Sequence, residues 1–268
     1  MGNKQGMRNA VNSAWDISTG VFNQSLNPSP NITAITKVHF RSDGLKMYIT
    51  GTTLDVVAEY TLSSAWDITS ATYINNFNIS GKQSIAYGLS ISVDGLKMYI
   101  TGASPTKRID EYTLSSAWDI TSATFTQTFT FGVEMSGCRG HYFKDDGLKL
   151  YLSDNAVKKF HEYDLSSAWD VSTIVFNQSF TLGAETSVTF DLYFNVDGSQ
   201  VFTIDYINDK IYQYSLSTAW DISTTSYDTI SLNIVLEQNG GTNLFINPDG
   251  LKLYVTGFGN NLINEYNL

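Results

Sequence analysis

DGLKMYITG occupies residues 94–102, and the same nine residues stand at 43–51. The longer string SSAWDITSAT also occurs twice, at 63–72 and 115–124. The Asp-Gly pair recurs at spacings of 51 or 52 residues, at Asp43, Asp94, Asp146, Asp197 and Asp249. The Trp-Asp pair recurs at the same spacings, at Trp15, Trp66, Trp118, Trp169 and Trp220. Self-similarity at a fixed period predicts five copies of one structural unit.

Each copy carries four short strand patterns. Apolar and polar side chains alternate over residues 45–50, which is the period of a β-strand. Four strands per repeat with turn residues between them predict an all-β fold, a five-bladed β-propeller with four antiparallel strands per blade. The strands expected to line the central channel are Ile35–Arg41, Ile85–Ser92, Cys138–Lys144, Thr189–Asn195 and Gly241–Asn247.

The two ends of the chain are halves of one repeat. The first strand pattern, Asp16 to Asn27, corresponds to a fourth strand, and the last, Asn264 to Leu268, corresponds to a third. We therefore expect the N-terminal strand to close the last blade, which leaves no open sheet edge. Residues 1–12 are predicted to be a polar N-terminal segment, and residues 13–268 a single, monomeric propeller.

The residues of the two repeated turns predict their local structure. Asn247-Pro248-Asp249-Gly250 predicts a type I turn followed by a glycine in the left-handed region. The Ser/Thr-Ala-Trp-Asp string resembles a capping box around a single helical turn, as in Ser13/Asp16. We expect both turns on one face of the disc, with the tryptophan packed on the outer strand of its blade.

These strings resemble known repeats. The segment 94–102 looks like the core of YVTN-type propeller repeats, and the Ser-Ala-Trp-Asp-Ile-Ser/Thr extension resembles repeats in tail-fibre and other structural proteins of bacteriophages and marine viral metagenomes. The resemblance implies a virion or extracellular setting. The partners it implies are a glycan or host-surface receptor, or other virion proteins.

Composition excludes several classes of function. The formal net charge of −10 argues against nucleic acid and against anionic membrane surfaces as partners. The single cysteine, Cys138, rules out an intramolecular disulfide and a cysteine zinc site. No apolar run reaches the ~18 residues of a membrane-spanning helix, and the polar start of the chain is unlike a signal peptide. We expect no cofactor and no membrane insertion.

The sequence lacks the residue patterns of a catalytic site. A glycoside hydrolase needs carboxylates that converge on the channel, yet Asp191 is the only one on the predicted inner strands. The loops before those strands carry Glu134, Glu185 and Glu237 at unmatched positions, and the three histidines lack metal-site spacing. We therefore predict a protein that is not an enzyme and has no metal site, with a glycoside hydrolase as the least favoured alternative.

Two kinds of binding site remain open. A multivalent lectin would use the repeated Trp-Asp turns, with one carbohydrate site per blade. A single asymmetric site would instead use inner-strand residues that differ between blades, although such variation could equally be drift in a water-filled channel. The candidate ligand-binding residues at the channel mouth are Lys37, His39, Tyr87, Arg139, His141, Asp191 and Asn243. We favour a non-enzymatic binding or structural propeller with the single site.

Overall fold

The computed structural model describes residues 14–83, 85–102 and 107–268. Within these residues, 20 strands form five four-stranded antiparallel sheets. The inner strands of neighbouring sheets contact one another in a closed ring. The prediction of an all-β, five-bladed propeller is confirmed. The predicted segment 1–12 and Ser13 lie outside the described residues, and among the described ones no helix is long and apolar enough to cross a membrane.

Each blade runs from an inner strand to an outer strand. Blade 1 contains β2 (Ile35–Phe40), β3 (Lys46–Gly51), β4 (Val56–Leu62) and β5 (Ala71–Asn78). Blade 2 contains β6 (Ala86–Ile91), β7 (Lys97–Gly102), β8 (Arg108–Leu114) and β9 (Ala123–Thr130). Blade 3 contains β10 (Cys138–Phe143), β11 (Lys149–Asp154), β12 (Lys159–Leu165) and β13 (Ile174–Thr181). Blade 4 contains β14 (Thr189–Phe194), β15 (Gln200–Asp205), β16 (Lys210–Leu216) and β17 (Thr225–Asn233).

Blade 5 is assembled from both ends of the chain. It contains β18 (Gly241–Ile246), β19 (Lys252–Gly257), β20 (Ile263–Asn267) and β1 (Val21–Leu26). Strand β1 pairs antiparallel with β20, from Val21 opposite Asn267 to Leu26 opposite Ile263. The predicted closure by the N-terminal strand is confirmed. The strand begins later than expected, because Ile17–Thr19 form a single 3-10 turn.

The two repeated turns of each blade bind each other. In blade 1, Gly44 has a φ of 71°, and its carbonyl accepts a hydrogen bond from the backbone N–H of Trp66 at 3.1 Å. The indole covers Gly44 so closely that a Cβ there would overlap the ring. Both turns therefore share one face of the disc, as predicted; we call it the turn face.

The expected position of the tryptophan is wrong. The ring neighbours of Trp66 are Phe40 on its own inner strand, at 5.5 Å, and Phe245 of blade 5, at 6.1 Å. The indole therefore lies toward the ring axis and not over the outer strand. The glycine that it covers has no side chain, and this opens the space that the indole fills.

The expected capping box is also wrong in detail. Asp67 is itself the N-cap of the single 3-10 turn Ile68–Ser70, and its carboxylate accepts from the N–H and the hydroxyl of Thr69. The backbone N–H of Ser64 donates to the hydroxyl of Ser70, which in turn donates to the Asp67 carbonyl. The serine three residues before the aspartate is therefore bound through its backbone.

A repeated polar network ties neighbouring blades together. In blade 1, Lys46 Nζ lies 2.5 Å from Glu59 Oε1 and donates to the Trp118 carbonyl of blade 2 at 3.1 Å. The hydroxyl of Tyr48 donates to the same carbonyl at 2.7 Å. The equivalent tyrosine bonds are Tyr99 to Trp169, Tyr151 to Trp220 and Tyr254 to Trp66. The lysines of three blades make the same bond to the next blade, so part of the repeated charge holds blades together.

Blade 4 departs from this network. Gln200, Phe202 and Gln213 stand where other blades have the lysine, the tyrosine and the glutamate. At the interface with blade 5, the rings of Phe202 and Trp15 stack with their centres 6.3 Å apart. The Ile17 N–H donates a hydrogen bond to Gln213 Oε1 at 3.4 Å. This interface therefore has neither the ion pair nor the tyrosine hydroxyl of the others.

Candidate functional site

All five inner strands change register at the same place. In β2 the pairing shifts between Ile35 and Lys37, which leaves Thr36 as the bulged residue. The bulged residues of the other blades are Tyr87, Arg139, Phe190 and Thr242. Beyond the bulge the side chains alternate again, so that every second one faces the axis. The bulge therefore decides which residues line the channel.

The first layer beyond the bulge closes the channel. Lys37 Nζ lies 2.6 Å from Asp191 Oδ2, and the Asn243 amide donates to the same oxygen at 2.6 Å. The backbone N–H of Leu244 also donates to this carboxylate, at 3.3 Å. Lys37 is 4% exposed and Asp191 fully buried. Burial raises the pKa of Asp191, while Lys37 opposes that shift.

The second layer lines a funnel that opens on the turn face, with a cavity of about 280 Å³. Five equivalent positions, four residues before each Asp-Gly pair, supply its inner wall: His39, Ser90, Tyr142, Tyr193 and Phe245. Three repeated tryptophans, Trp15, Trp118 and Trp169, contribute to the outer wall. The rim contains Ser42, Val93, Asp145, Val196 and Pro248, each directly before an Asp-Gly pair.

A chain of hydrogen bonds fixes Ser90 in this wall. The Thr101 hydroxyl donates to the Arg139 carbonyl at 2.9 Å, so its oxygen is free to accept from Nδ1–H of His141 at 3.0 Å. With Nδ1 protonated, His141 Nε2 is the acceptor for the Ser90 hydroxyl at 2.7 Å. Ser90 therefore presents only lone pairs to the cavity.

Gly88 makes this chain possible. A Cβ at Gly88 would overlap both Thr101 Oγ1 and His141 Nδ1. His141 itself stands where the other blades have Val38, Leu89, Leu192 and Leu244. Burial, with smaller contributions from Lys37 and His39, holds the pKa of His141 well below its usual range, so the imidazole is neutral at neutral pH.

His39 is the least satisfied polar group of the funnel. Its Nε2 is buried and has no hydrogen-bond partner among the described residues. The ring stacks against Trp118 at 6.5 Å, and Phe245 meets it edge-on at 6.2 Å. Burial, and then the charge of Lys37, lower the pKa of His39 to about 3. The imidazole is therefore neutral at neutral pH.

Two of the predicted site residues lie at the bulge, on the other side of the Lys37–Asp191 pair. The Arg139 guanidinium stacks 4.2 Å from the centre of the Tyr87 ring and 5.1 Å from that of Phe190. Its Nη1 donates to the Cys138 carbonyl at 3.0 Å. Arg139 and Tyr87 therefore form a separate cluster and do not line the funnel.

The seven predicted site residues thus fall into three groups. Lys37, Asp191 and Asn243 close the channel, His39 and His141 belong to the funnel, and Tyr87 and Arg139 form the separate cluster. Sequence reasoning missed most of the inner wall and Asp145 on the rim. The sequence did point to these wall residues. Each lies two positions after the layer that contains Lys37, Asp191 and Asn243, and residues two apart on a strand face the same side.

The loop carboxylates considered for catalysis are bound elsewhere. The hydroxyls of Tyr163 and Tyr214 donate to Glu134 and Glu185 at 3.1 and 2.7 Å. Glu237 accepts from Tyr266 at 3.4 Å. Among the described residues, no group of three or more His, Cys, Asp or Glu side chains could hold a metal ion. His161 lies 3.4 Å from Asp154, away from the funnel.

One carboxylate oxygen, Oδ1, of the repeated turn aspartates already has several protein partners. The Asp67 carboxylate accepts from Thr69 and also from the Gln24 amide at 3.1 Å. Asp170 and Asp221 accept equivalent bonds from Gln127 and Gln178, both at 2.8 Å. Each of these glutamines also donates to the glutamate of its own blade. A ligand that used Oδ1 would have to compete with these bonds.

Comparisons with known proteins identify the fold alone. No family model matches the chain, and no curated protein matches it. A functionally unknown protein from Desulfotomaculum acetoxidans is similar at 13% identity and a TM-score of 0.51, covering 84% of this chain and 63% of that one. A proposed 6-phosphogluconolactonase from Bacteroides uniformis is similar at 14% identity and a TM-score of 0.54. The match covers 86% of this chain and 65% of that one.

A third solved structure has the length of this chain. The β-propeller domain of Swd1 from Myceliophteria thermophila is similar at 11% identity and a TM-score of 0.53, covering 93% of this chain and 99% of that one. The chain spans less than two thirds of the first two proteins. At these identities the likeness establishes a propeller and leaves the activity to the site itself.

Proposed function

We propose that this propeller is a non-enzymatic binding module with one small-ligand site per chain, in the funnel on the turn face. The observation that carries the proposal is the inner wall, which has a different residue in each blade except for two tyrosines: His39, Ser90, Tyr142, Tyr193 and Phe245. A five-fold scaffold with an asymmetric wall supports one site, not five. The cavity is at the lower end of the ~300–1,000 Å³ typical of small-molecule pockets, so the ligand is small.

The setting that we propose is the surface of a virion or a cell, where the module attaches to a glycan or other host-surface receptor. The resemblance of the Ser-Ala-Trp-Asp-Ile-Ser/Thr repeats to phage structural proteins supports it. The closed ring supports a rigid display of the funnel, because each inner strand packs against the inner strands of both neighbouring blades. The ligand would be a terminal group of the receptor that enters the funnel from the turn face.

The alternatives have less support. A lectin with one site per blade needs free polar atoms at the repeated turns, and at Asp67, Asp170 and Asp221 one of the two carboxylate oxygens is already bonded within the protein. A glycoside hydrolase needs two carboxylates near one cavity, whereas Asp145 is the one carboxylate among the described funnel residues. Asp191 is buried in the layer below it.

The test is a screen of the labelled protein on an array of cell-surface glycans and in a thermal-shift library of small ligands, followed by calorimetry. We expect one ligand per chain. The variant Ser90→Phe, which fills the cavity, should abolish binding, whereas Val133→Phe at a fully exposed position should leave it unchanged. A stoichiometry near five, or normal binding by Ser90→Phe, would overturn the proposal.

A further inference from the structure

The charges around the funnel are unevenly compensated. Its lining contains two charged side chains among the described residues, Lys37 and Asp145. Lys37 is paired with Asp191 at 2.6 Å, whereas the rim carboxylate of Asp145 has no ion-pair partner there. The nearest other cation in sequence, Lys144, is bound to Asp146 at 2.6 Å. The funnel therefore has one uncompensated charge, and it is negative.

Asp145 acts on the inside of the funnel although it is on the rim. Burial raises the pKa of Tyr142, and the charge of Asp145 adds to that shift. The pKa of Tyr193 is raised by burial, by Tyr142 and then by Asp145. Two aromatic side chains of the inner wall are thus within electrostatic reach of this carboxylate. A ligand in contact with both tyrosines would experience the same field.

Most of the remaining wall is aromatic. Tyr142 and Tyr193 meet edge-on at 5.2 Å, and Tyr193 lies 5.2 Å from Phe245. The indoles of Trp15, Trp118 and Trp169 complete the wall toward the turn face. The faces of such rings carry partial negative charge and attract cations within ~6 Å of the ring centre. Aromatic rings beside one carboxylate attract organic cations and repel anions.

The hydrogen-bonding groups of the wall can accept bonds from a cation, although the hydroxyls of Tyr142 and Tyr193 can also donate. Ser90 offers only lone pairs, because its proton is directed at His141. His39 is neutral at neutral pH, since its pKa is lowered to about 3, and therefore does not repel a cation. Ser90 thus suits a ligand that donates a hydrogen bond, and none of these polar groups carries a positive charge.

We infer that the funnel recognises an organic ammonium group, a primary or methylated alkylammonium, with Asp145 as its counter-ion and the Tyr142, Tyr193 and Phe245 rings as its cage. This inference rests on the proposed single-site function and specifies the chemistry of its ligand. On a receptor, the ammonium group would be a substituent of a surface molecule. The net charge of −10 favours the approach of such a ligand over that of an anion.

The experiment compares choline with its neutral isostere 3,3-dimethylbutan-1-ol, and with D-galactose and D-glucose, by calorimetry on the full chain at low salt. We expect choline to bind with a stoichiometry of one and the neutral isostere to bind at least about tenfold more weakly. Asp145→Asn should weaken choline binding about tenfold. Asp55→Asn, in the loop between β3 and β4 at the opposite end of the blade, is the matched control and should bind normally.

The outcomes separate this inference from the proposed function. Equal binding of choline and the neutral isostere, or unchanged binding by Asp145→Asn, would overturn the ammonium inference and leave the funnel site standing. One-to-one binding of a neutral sugar without binding of choline would also overturn the ammonium inference and leave the proposed single site standing. Choline binding that persists in Ser90→Phe would place the ligand outside the funnel and overturn both.

Discussion

Lys37 Nζ lies 2.6 Å from Asp191 Oδ2 across the axis of the ring, between two blades that are not neighbours. The two residues are 154 positions apart in the chain. Their pair separates the funnel on the turn face from the Arg139 cluster at the bulge. Together with Asn243, which donates to the same carboxylate, this buried pair fills the channel at the level of the first layer.

Removing one partner of this pair should strongly destabilise the fold. In Asp191→Leu the ammonium of Lys37 would stay buried without its counter-ion, which costs ~3–5 kcal/mol in comparable pairs. Urea denaturation of the variant measures the loss. The double variant Lys37→Met/Asp191→Leu should recover most of it, because no buried charge remains. A single variant as stable as the parent would contradict the role of the pair.

A substitution at the interface between blades 4 and 5 should stabilise the protein. Phe202 stacks on Trp15 at 6.3 Å and 25°, as Tyr48 stacks on Trp118 at 6.3 Å and 28°. Phe202→Tyr would therefore place a hydroxyl near the Trp15 carbonyl, and one such bond contributes ~0.5–1.5 kcal/mol. We expect a higher free energy of unfolding in urea. The reverse change, Tyr151→Phe, should lower it, and a destabilised Phe202→Tyr would refute the equivalence of the interfaces.

The buried histidines predict a pH dependence of stability. The pKa of His141 is well below its ordinary value of 6.5 in the folded chain, so below pH 6.5 the unfolded chain binds a proton that the folded chain does not. Stability should therefore fall as pH decreases from 6.5, by up to ~1.4 kcal/mol per pH unit for this group. His141→Leu removes the contribution. Urea titrations at several pH values give the free energy of unfolding as a function of pH, and this dependence should be weaker for the variant. The same pH dependence in both proteins would contradict the prediction.

Gly88 should tolerate no side chain. In Gly88→Ala the new Cβ would overlap Thr101 and His141, and overpacking of this kind costs ~1–3 kcal/mol. Thermal unfolding should show a lower Tm. Gly81→Ala is the matched control, because nothing lies within 4 Å of a Cβ at that position. Similar Tm values for the two variants would show that the Thr101–His141–Ser90 chain is not packed as described.

The repeat determined most of the fold. A fixed spacing of the Asp-Gly and Trp-Asp pairs specified five blades, and the incomplete repeats at the two ends specified the closure by β1, since an unpaired edge strand needs a partner. The predicted inner strands agree with the observed ones within one residue at either end. Local periodicity is enough for this, because strand and turn are decided by neighbouring residues.

The site was only partly predictable. Variation between repeats drew attention to the inner strands and to His39 and His141, which line the funnel. It could not reveal which varying residues face one cavity, because the bulge after Ile35 and its equivalents resets the alternation of side chains. The residues of the bulge and those of the funnel are neighbours in sequence, yet the Lys37–Asp191 pair separates them in space.

The number of blades, the closure and the positions of the turns can be read from the sequence, since all three follow from short-range patterns repeated at one period. The folded ring is needed to show that Trp66 and its equivalents turn toward the axis, and that the charge of Lys37 is compensated by Asp191. Both depend on residues from different blades meeting at the ring axis. Contacts of this kind are set by the closure of the ring, which no single repeat encodes.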